Sequence, residues 1–218
     1  MAIKNLRTVT LTVRRLVRSS RTGGRHSRIP RKAVSRRFFP LTYVVRNLMV
    51  LKDEAWWERL SPRLKKARAR KMILERSVFY LRVEQWRKDR LACTPLVRSS
   101  VEYLQPAGDG VSYCSHCGGC CEISSGLPEF PTDSDIPDRW KFIFGLGLGR
   151  GHRFCPFLWE ERCGGSLCSI HPWRSLACRI FEEDECDFFM NDPDFVRSLD
   201  LKRLMDTWRL FIDLVDGA

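Results

Sequence analysis

Apolar residues recur at helical spacing in the segment of residues 53–92. Successive apolar positions there fall mostly three or four residues apart, which predicts a helix with one buried face. Ser61 followed by Pro62 is typical of an N-cap and a first helical residue. The predicted buried face consists of Leu60, Leu64, Ala67, Ile73, Leu74, Val78, Leu81 and Trp86, and the opposite, basic face of Arg63, Lys65, Lys66, Arg68, Arg70 and Lys71.

A second apolar stripe predicts a C-terminal helix over residues 191–215. Asp192 and Pro193 are expected to start it, and the stripe contains Phe195, Leu199, Leu204, Trp208, Phe211, Ile212 and Val215. Thr132 and Asp135 form a capping pattern that predicts a further helix after residue 132. The longest other apolar stretch, residues 38–51, is interrupted by Arg46 and is too short for a membrane span, so no transmembrane segment is predicted.

Charge divides the chain into two unlike halves. Residues 1–92 contain 26 Lys and Arg against 6 Asp and Glu, whereas residues 93–218 contain 12 against 20. The asymmetry suggests that the first half meets a polyanion, such as nucleic acid, a ribonucleoprotein or another anionic surface. The predicted polyanion-binding residues are those of the basic helix face: Arg63, Lys65, Lys66, Arg68, Arg70 and Lys71. The alternative is that the two halves neutralise each other within the fold.

The first 52 residues contain no Asp or Glu. Three interpretations fit this composition: a transit peptide that directs the protein to an organelle, a flexible basic arm along phosphates or membrane headgroups, or an unselected disordered leader. We expect residues 1–52 to be a flexible arm, residues 53–92 a helical segment, and residues 93–112, with Pro95 and Pro106, a linker.

The ten cysteines of the chain lie mainly in its second half. No secretory signal opens the sequence, so we expect reduced thiols in an intracellular, reducing compartment. The stretch "CSHCGGCC" places Cys114, Cys117, Cys120 and Cys121 within eight residues. A two-residue gap lets a tight turn direct two sulfurs at one ion, and Gly118 and Gly119 would relax that turn. This spacing predicts a metal-binding site.

Three motifs in order resemble the CxxCxxCC cysteine-cluster family, the YkgJ-like zinc- or iron-chelating domain. They are "CSHCGGCC" (114–121), "CPFL" (155–158) and "CSIHPWRSLACRIF" (168–181). His171 stands where the family has Tyr, and Ser175 where it has Pro. The resemblance covers roughly residues 110–190 and implies metal binding by Cys114, Cys117, Cys120, Cys121, Cys155, Cys168 and Cys178, with Cys186 as an eighth ligand.

The identity of the metal stays open at this stage. Eight cysteines could form two four-cysteine sites, which suits zinc or an iron–sulfur cluster, and zinc is the default for such turns. Further ligands or hydrogen-bonding neighbours of the thiolates are expected among Cys163, His171, Arg174 and Arg179.

These observations predict a mainly α fold in which helices flank a small cysteine-rich core with irregular, metal-stabilised loops. The predicted metal-binding domain spans residues 113–190, and the helix of residues 191–218 packs on it. A non-catalytic metal-binding module that docks on RNA or a ribonucleoprotein explains both the cysteines and the charge. The alternative is an iron–sulfur protein with a redox or methyltransferase-associated role, because flagellin lysine N-methylases carry a similar cysteine signature.

Overall fold

The protein is described here by a computed structural model that covers residues 28–90, 118–122, 129–132, 134–149, 151–161, 165–170, 173, 175, 178, 187–188, 191–193 and 200–216. The predicted mainly α fold is confirmed for this part of the chain. None of its helices combines the length and the apolar character that crossing a membrane requires. The helices are α1 (Arg28–Val34), α2 (Leu41–Asp53), α3 (Ala55–Glu58), α4 (Pro62–Arg90), α5 (Asp138–Leu146) and α6 (Leu201–Asp216), with a short 3₁₀ turn at Gly119–Cys121.

Two short strands complete the described secondary structure. β1 (Leu158–Glu160) pairs with β2 (Ser166–Cys168) in an antiparallel hairpin, with Leu158 opposite Cys168. Glu160 extends the contact to the helices, because its backbone N–H donates to the Phe38 carbonyl and its carboxylate accepts from the Thr42 N–H at 2.9 Å. The hairpin is therefore fastened to the start of α2.

Helix α2 lies in the centre of the core, within the segment that was predicted to be a flexible N-terminal arm. Its residues are buried on nearly every side, including Leu41, Val45 and Leu48, because the run "LTYVVRNLMVL" is apolar around most of the helix. It packs mainly against α6, while α1 packs against α4. The prediction of a flexible arm is therefore wrong for residues 28–52, and residues 1–27 and the linker at 93–112 lie outside the described residues.

Helix α4 begins as predicted but buries a different face. The Leu64 N–H donates to the Ser61 hydroxyl at 3.4 Å, which confirms Ser61 as the N-cap. Leu64 and Leu74, predicted to be buried, are 51% and 41% exposed. The buried face instead contains Ala69, Met72, Ile73, Arg76, Ser77, Phe79, Tyr80, Val83 and Arg87. The apolar pattern predicted the wrong buried face because Arg76, Ser77 and Arg87 are buried there with hydrogen bonds to backbone carbonyls.

The remaining predicted helix starts have different outcomes. Helix α5 begins at Asp138, directly after Pro137, and not at the Thr132 capping pattern. Asp192 is non-helical and Pro193 is helical, in agreement with the predicted start, but the single helix predicted over residues 191–215 is interrupted at Asp200, which is non-helical. The Arg203 N–H donates to the Asp200 side chain at 2.9 Å, so Asp200 caps α6.

The apolar stripe of α6 is confirmed for its described members. Its buried residues are Leu204, Trp208, Phe211, Leu214 and Val215, whereas Phe195 and Leu199 lie outside the described residues. Helix α6 packs against α2 and α4, so the C-terminal helix rests on the helical segments of the basic half.

Charges of the two halves meet within this fold. Arg90 lies 3.8 Å from Asp135, Arg46 lies 3.9 Å from Glu122, and Asp53 lies 2.5 Å from Arg203. Each contact joins residues before position 92 to residues after position 93. The interpretation that the halves partly neutralise each other is therefore correct for these side chains.

Candidate metal centre

Cys121 is presented by a tight turn that requires glycine. Gly118 has a φ of +80°, in the left-handed region that side chains disfavour, and it precedes the 3₁₀ turn Gly119–Cys121. A Cβ atom at Gly118 would lie 2.5 Å from Cε1 of Tyr43 on α2. The turn is closed by the Cys121 N–H, which donates to the Gly118 carbonyl at 3.1 Å. The predicted glycine turn is therefore confirmed at Gly118.

Cys155 lies beside this turn. Its backbone N–H donates to the Cys121 carbonyl at 2.5 Å, so the two cysteine segments are joined directly. Asn47 of α2 holds the preceding residues, because its side chain donates to the Gly151 carbonyl and accepts from the Arg153 N–H, both at 2.6 Å. Helix α2 therefore positions both segments.

The β-hairpin brings a third cysteine to the same place. Cys155 lies three residues before β1 and Cys168 is the last residue of β2, so the antiparallel pairing places both at one end of the hairpin. The Ser169 N–H and hydroxyl both donate to the Phe157 carbonyl, at 3.0 and 2.8 Å, and close that end.

Cys178 follows on a turn of its own. Its N–H donates to the Ser175 carbonyl at 3.0 Å. The Ser175 hydroxyl, which is fully buried, lies 3.6 Å from the Cys178 sulfur. Hydroxyl donors stabilise thiolate ligands and tune the metals they bind. Ser175, which departs from the family pattern, therefore touches a predicted ligand.

Neighbouring cysteines act on the pKa of Cys155. Burial raises the pKa of the Cys155 thiol well above its usual value, and the neighbouring Cys168 and Cys178 raise it further. The Phe157 N–H and the Arg76 guanidinium act in the opposite direction. All four described thiols, of Cys121, Cys155, Cys168 and Cys178, are free of disulfides.

A buried arginine of α4 holds the Cys155 loop through hydrogen bonds to its backbone carbonyls. Arg76 of α4 donates to the carbonyls of Cys155 at 2.7 Å and Leu158 at 2.9 Å, with a longer bond to Phe154 at 3.4 Å. Burial lowers the pKa of Arg76 to about 10, against the opposing influence of Cys155 and Cys121, so its side chain remains a cation at neutral pH. The loop is therefore held by a positive charge next to the thiols.

Ion pairs of Glu122, the residue after Cys121, connect this turn to helix α2. Glu122 lies 2.5 Å from the Arg153 guanidinium and 3.9 Å from that of Arg46 on α2. Arg46 is fully buried, with its guanidinium 5.3 Å from the centre of the Tyr43 ring and 5.0 Å from that of Phe154. Arg46 and Arg76 thus bring two cations to the helical side of the cysteine segments.

The predicted ligands divide into two groups. The structure joins the segments of Cys121, Cys155 and Cys168, places Cys178 on a separate turn, and describes only the backbone of Cys120, in the 3₁₀ turn. Among the described residues, no group of three or more His, Cys, Asp or Glu side chains is arranged to hold a metal ion. The all-sulfur donor set is nevertheless the kind that zinc and iron–sulfur clusters take. Outside the described residues lie Cys114, Cys117, Cys163, Cys186, His171, Arg174 and Arg179.

The predicted polyanion-binding residues lie at the start of α4. Lys65 pairs with Glu58 at 3.2 Å and Lys71 with Glu75 at 3.7 Å, while Arg70 is half-buried. The remaining three are exposed and have no ion pair within the described part of the chain: Arg63, Lys66 and Arg68.

Sequence reasoning missed the helical residues that support the cysteines. Arg46 was noticed only as an interruption of an apolar stretch, and Asn47, Arg76 and Arg87 were not singled out. The available signal was a polar side chain at a buried position of an apolar helix, since such a group must find a partner. Arg87, for example, is buried and donates to the Ser169 carbonyl beside β2.

Comparisons of the chain with models of protein families, with curated proteins and with solved structures returned no match. The resemblance to the cysteine-cluster family therefore stays a prediction that rests on the three motifs. The site is defined by its own geometry: cysteine segments from three parts of the chain, supported by α2 and α4.

Proposed function

We propose that the protein is a metal-binding module that holds zinc through its cysteine cluster. The observation that carries the proposal is that the β-hairpin places Cys155 and Cys168 at one end, where the Cys155 N–H also donates to the Cys121 carbonyl. The proposed ligands are Cys114, Cys117, Cys120, Cys121, Cys155, Cys168, Cys178 and Cys186. Bound zinc would link loops that little regular structure connects.

The environment of the thiols supports a resident cation. Thiols that are buried near one another are difficult to ionise, and a divalent ion replaces their protons and neutralises the resulting charge. Arg46 and Arg76 would offset part of the negative charge that a four-thiolate zinc site retains. A closed all-sulfur site leaves no open coordination position for water, so the proposed role of the metal is structural and the module is not itself a catalyst.

The proposed partner is a polyanion, RNA or a ribonucleoprotein, bound through the basic half. Arg46, Arg76 and Arg87 of that half are buried. On its basic face Lys65 and Lys71 form ion pairs and Arg70 is half-buried. The candidate contact is therefore narrower than the sequence suggested: it is the exposed start of α4 with Arg63, Lys66 and Arg68, for which phosphates are the complementary partner.

Metal content is tested by purifying the full-length chain without oxygen, followed by elemental analysis and a visible spectrum. We expect stoichiometric zinc and a colourless protein. Cys155→Ser should lower the zinc content, whereas Cys93→Ser, which changes a cysteine outside the predicted set, should not. Iron together with acid-labile sulfide would refute zinc and support the iron–sulfur alternative. A protein without metal would refute the proposal.

Polyanion binding is tested with labelled heparin and an RNA oligonucleotide at two salt concentrations. Binding by the native chain should weaken steeply as salt rises. Replacing Arg63, Lys66 and Arg68 together by Gln should weaken binding further. A matched control replaces three exposed cations elsewhere, Lys32, Arg82 and Lys202, by Gln. Equal losses in the two variants would show that only net charge matters and would refute the assignment of the surface.

A further inference from the structure

An exposed tryptophan lies next to the proposed polyanion surface. Trp56 of α3 is 40% exposed, whereas its neighbour Trp57 is 4% exposed and belongs to the core. The two rings meet edge to face, with centroids 6.0 Å apart. The buried Trp57 therefore supports Trp56 without covering it, which leaves a large aromatic surface open to a ligand.

Exposed cations lie near Trp56 along α3 and the start of α4. The Arg59 N–H donates to the Trp56 carbonyl, which places Arg59 one helical turn away, and Arg59 is exposed with no ion pair among the described residues. Glu58 of the same turn bridges to Lys65 of α4 at 3.2 Å, so the end of α3 lies against the first turns of α4. Trp56 and Arg59 at the end of α3, together with exposed Arg63 and Lys66 in the first turns of α4, are called the Trp56 corner below.

We infer that the Trp56 corner binds single-stranded nucleic acid, with a base stacked on Trp56 and phosphates paired with the neighbouring cations. The inference rests on the polyanion half of the proposed function and specifies the partner. Single-strand binding proteins combine a basic track with aromatic rings, because every base has a face that can stack. Bases inside a duplex are already stacked on one another, so a duplex could pair its phosphates with the cations but could not stack a base on Trp56.

A membrane surface fits the Trp56 corner less well. Membrane-bound helices present several large apolar side chains on one face, next to basic residues. Along the chain the exposed residues around Trp56 are Glu54, Ala55, Glu58 and Arg59. Leu64 of α4, 51% exposed, is the one other large apolar side chain exposed among the described residues of α3 and the first turns of α4, so the corner lacks the row of apolar side chains that a membrane-bound helix presents.

The test measures the affinity of the full-length chain for a labelled 20-mer of oligo(dT), for the corresponding duplex, for heparin and for vesicles containing phosphatidylserine. We expect Trp56→Ala to weaken oligo(dT) binding about tenfold, the loss typical of one stacked base, and to change heparin binding less than about twofold. Trp56→Phe should restore most of the affinity. The matched control is Phe142→Ala, which removes another exposed ring, 68% exposed on α5, and should leave oligo(dT) binding unchanged.

The outcomes separate this inference from the proposed function. A native chain that binds neither heparin nor oligo(dT) refutes both the polyanion partner and the inference. Equal oligo(dT) binding by the native chain and Trp56→Ala, with heparin binding intact, refutes the stacking role alone. Loss of heparin and oligo(dT) binding together would assign Trp56 a structural role, and loss of vesicle binding only would identify a membrane contact; both results overturn the inference.

Discussion

The turn at Gly118 is the point at which the first cysteine segment contacts the helical core, and Gly118→Ala tests that contact. The added Cβ would lie 2.5 Å from Cε1, 2.7 Å from the hydroxyl oxygen and 2.9 Å from Cζ of Tyr43. Tyr43 is 1% exposed, and its ring meets that of Phe154 edge to face at 5.3 Å. The ring has little freedom to move away, so the new methyl group must displace packed atoms.

Two costs add at this position. An L-residue at a positive φ costs about 1–2 kcal/mol, and forcing an extra carbon into a packed region costs roughly a further 1–3 kcal/mol. We therefore expect Gly118→Ala to lower the free energy of unfolding by about 2–5 kcal/mol. The control is the same substitution in a Tyr43→Leu background, which removes the ring atoms that the added carbon would meet. In that background Gly118→Ala should show only the backbone cost.

The assay is urea unfolding under reducing conditions, followed by tryptophan fluorescence and circular dichroism. The difference between the cost of Gly118→Ala in the native chain and its cost in the Tyr43→Leu background isolates the clash with Tyr43 and should be about 1–3 kcal/mol. If Gly118→Ala costs the same in both backgrounds, the added carbon does not clash with Tyr43 and the account of how Cys121 is positioned is wrong.

Three further predictions concern the surroundings of the site. Arg76→Met should lower the free energy of unfolding by about 2–4 kcal/mol in urea titrations, because the carbonyls of Cys155 and Leu158 lose their donors; unchanged stability would contradict this support. Burial lowers the pKa of His152 to about 4, and its bond to Glu75 only partly opposes this effect. The unfolded chain therefore binds the extra proton first as pH falls from about 6.5 to 4, and up to about 3 kcal/mol of stability should be lost over that interval; His152→Gln should flatten the profile, and an equally steep profile in that variant would assign the loss to other groups. Ser175→Ala should weaken zinc binding about tenfold in chelator competition, whereas Ser175→Thr should not, because its hydroxyl can still reach the Cys178 sulfur; equal affinities would exclude that hydrogen bond.

The local features of the chain were predictable from sequence. Ser61 and Pro62 mark the start of α4, the stripe through Leu204 and Trp208 is the buried face of α6, and Gly118 forms a tight turn. Each depends on residues within a few positions of one another, so the conformation follows from hydrogen bonding and periodicity along the chain. The cysteine spacing likewise predicts a cluster from local chemistry.

Tertiary structure decided the role of the basic half. Residues 41–53 resemble part of a basic arm when judged by charge, yet they form the most buried helix described, because α6, α4 and β1 pack around them. The buried face of α4 includes Arg76 because the carbonyls of the Cys155 loop, 79–82 residues further along the chain, meet it there. A charge is buried only where distant groups supply its partners, and a linear pattern does not contain that information.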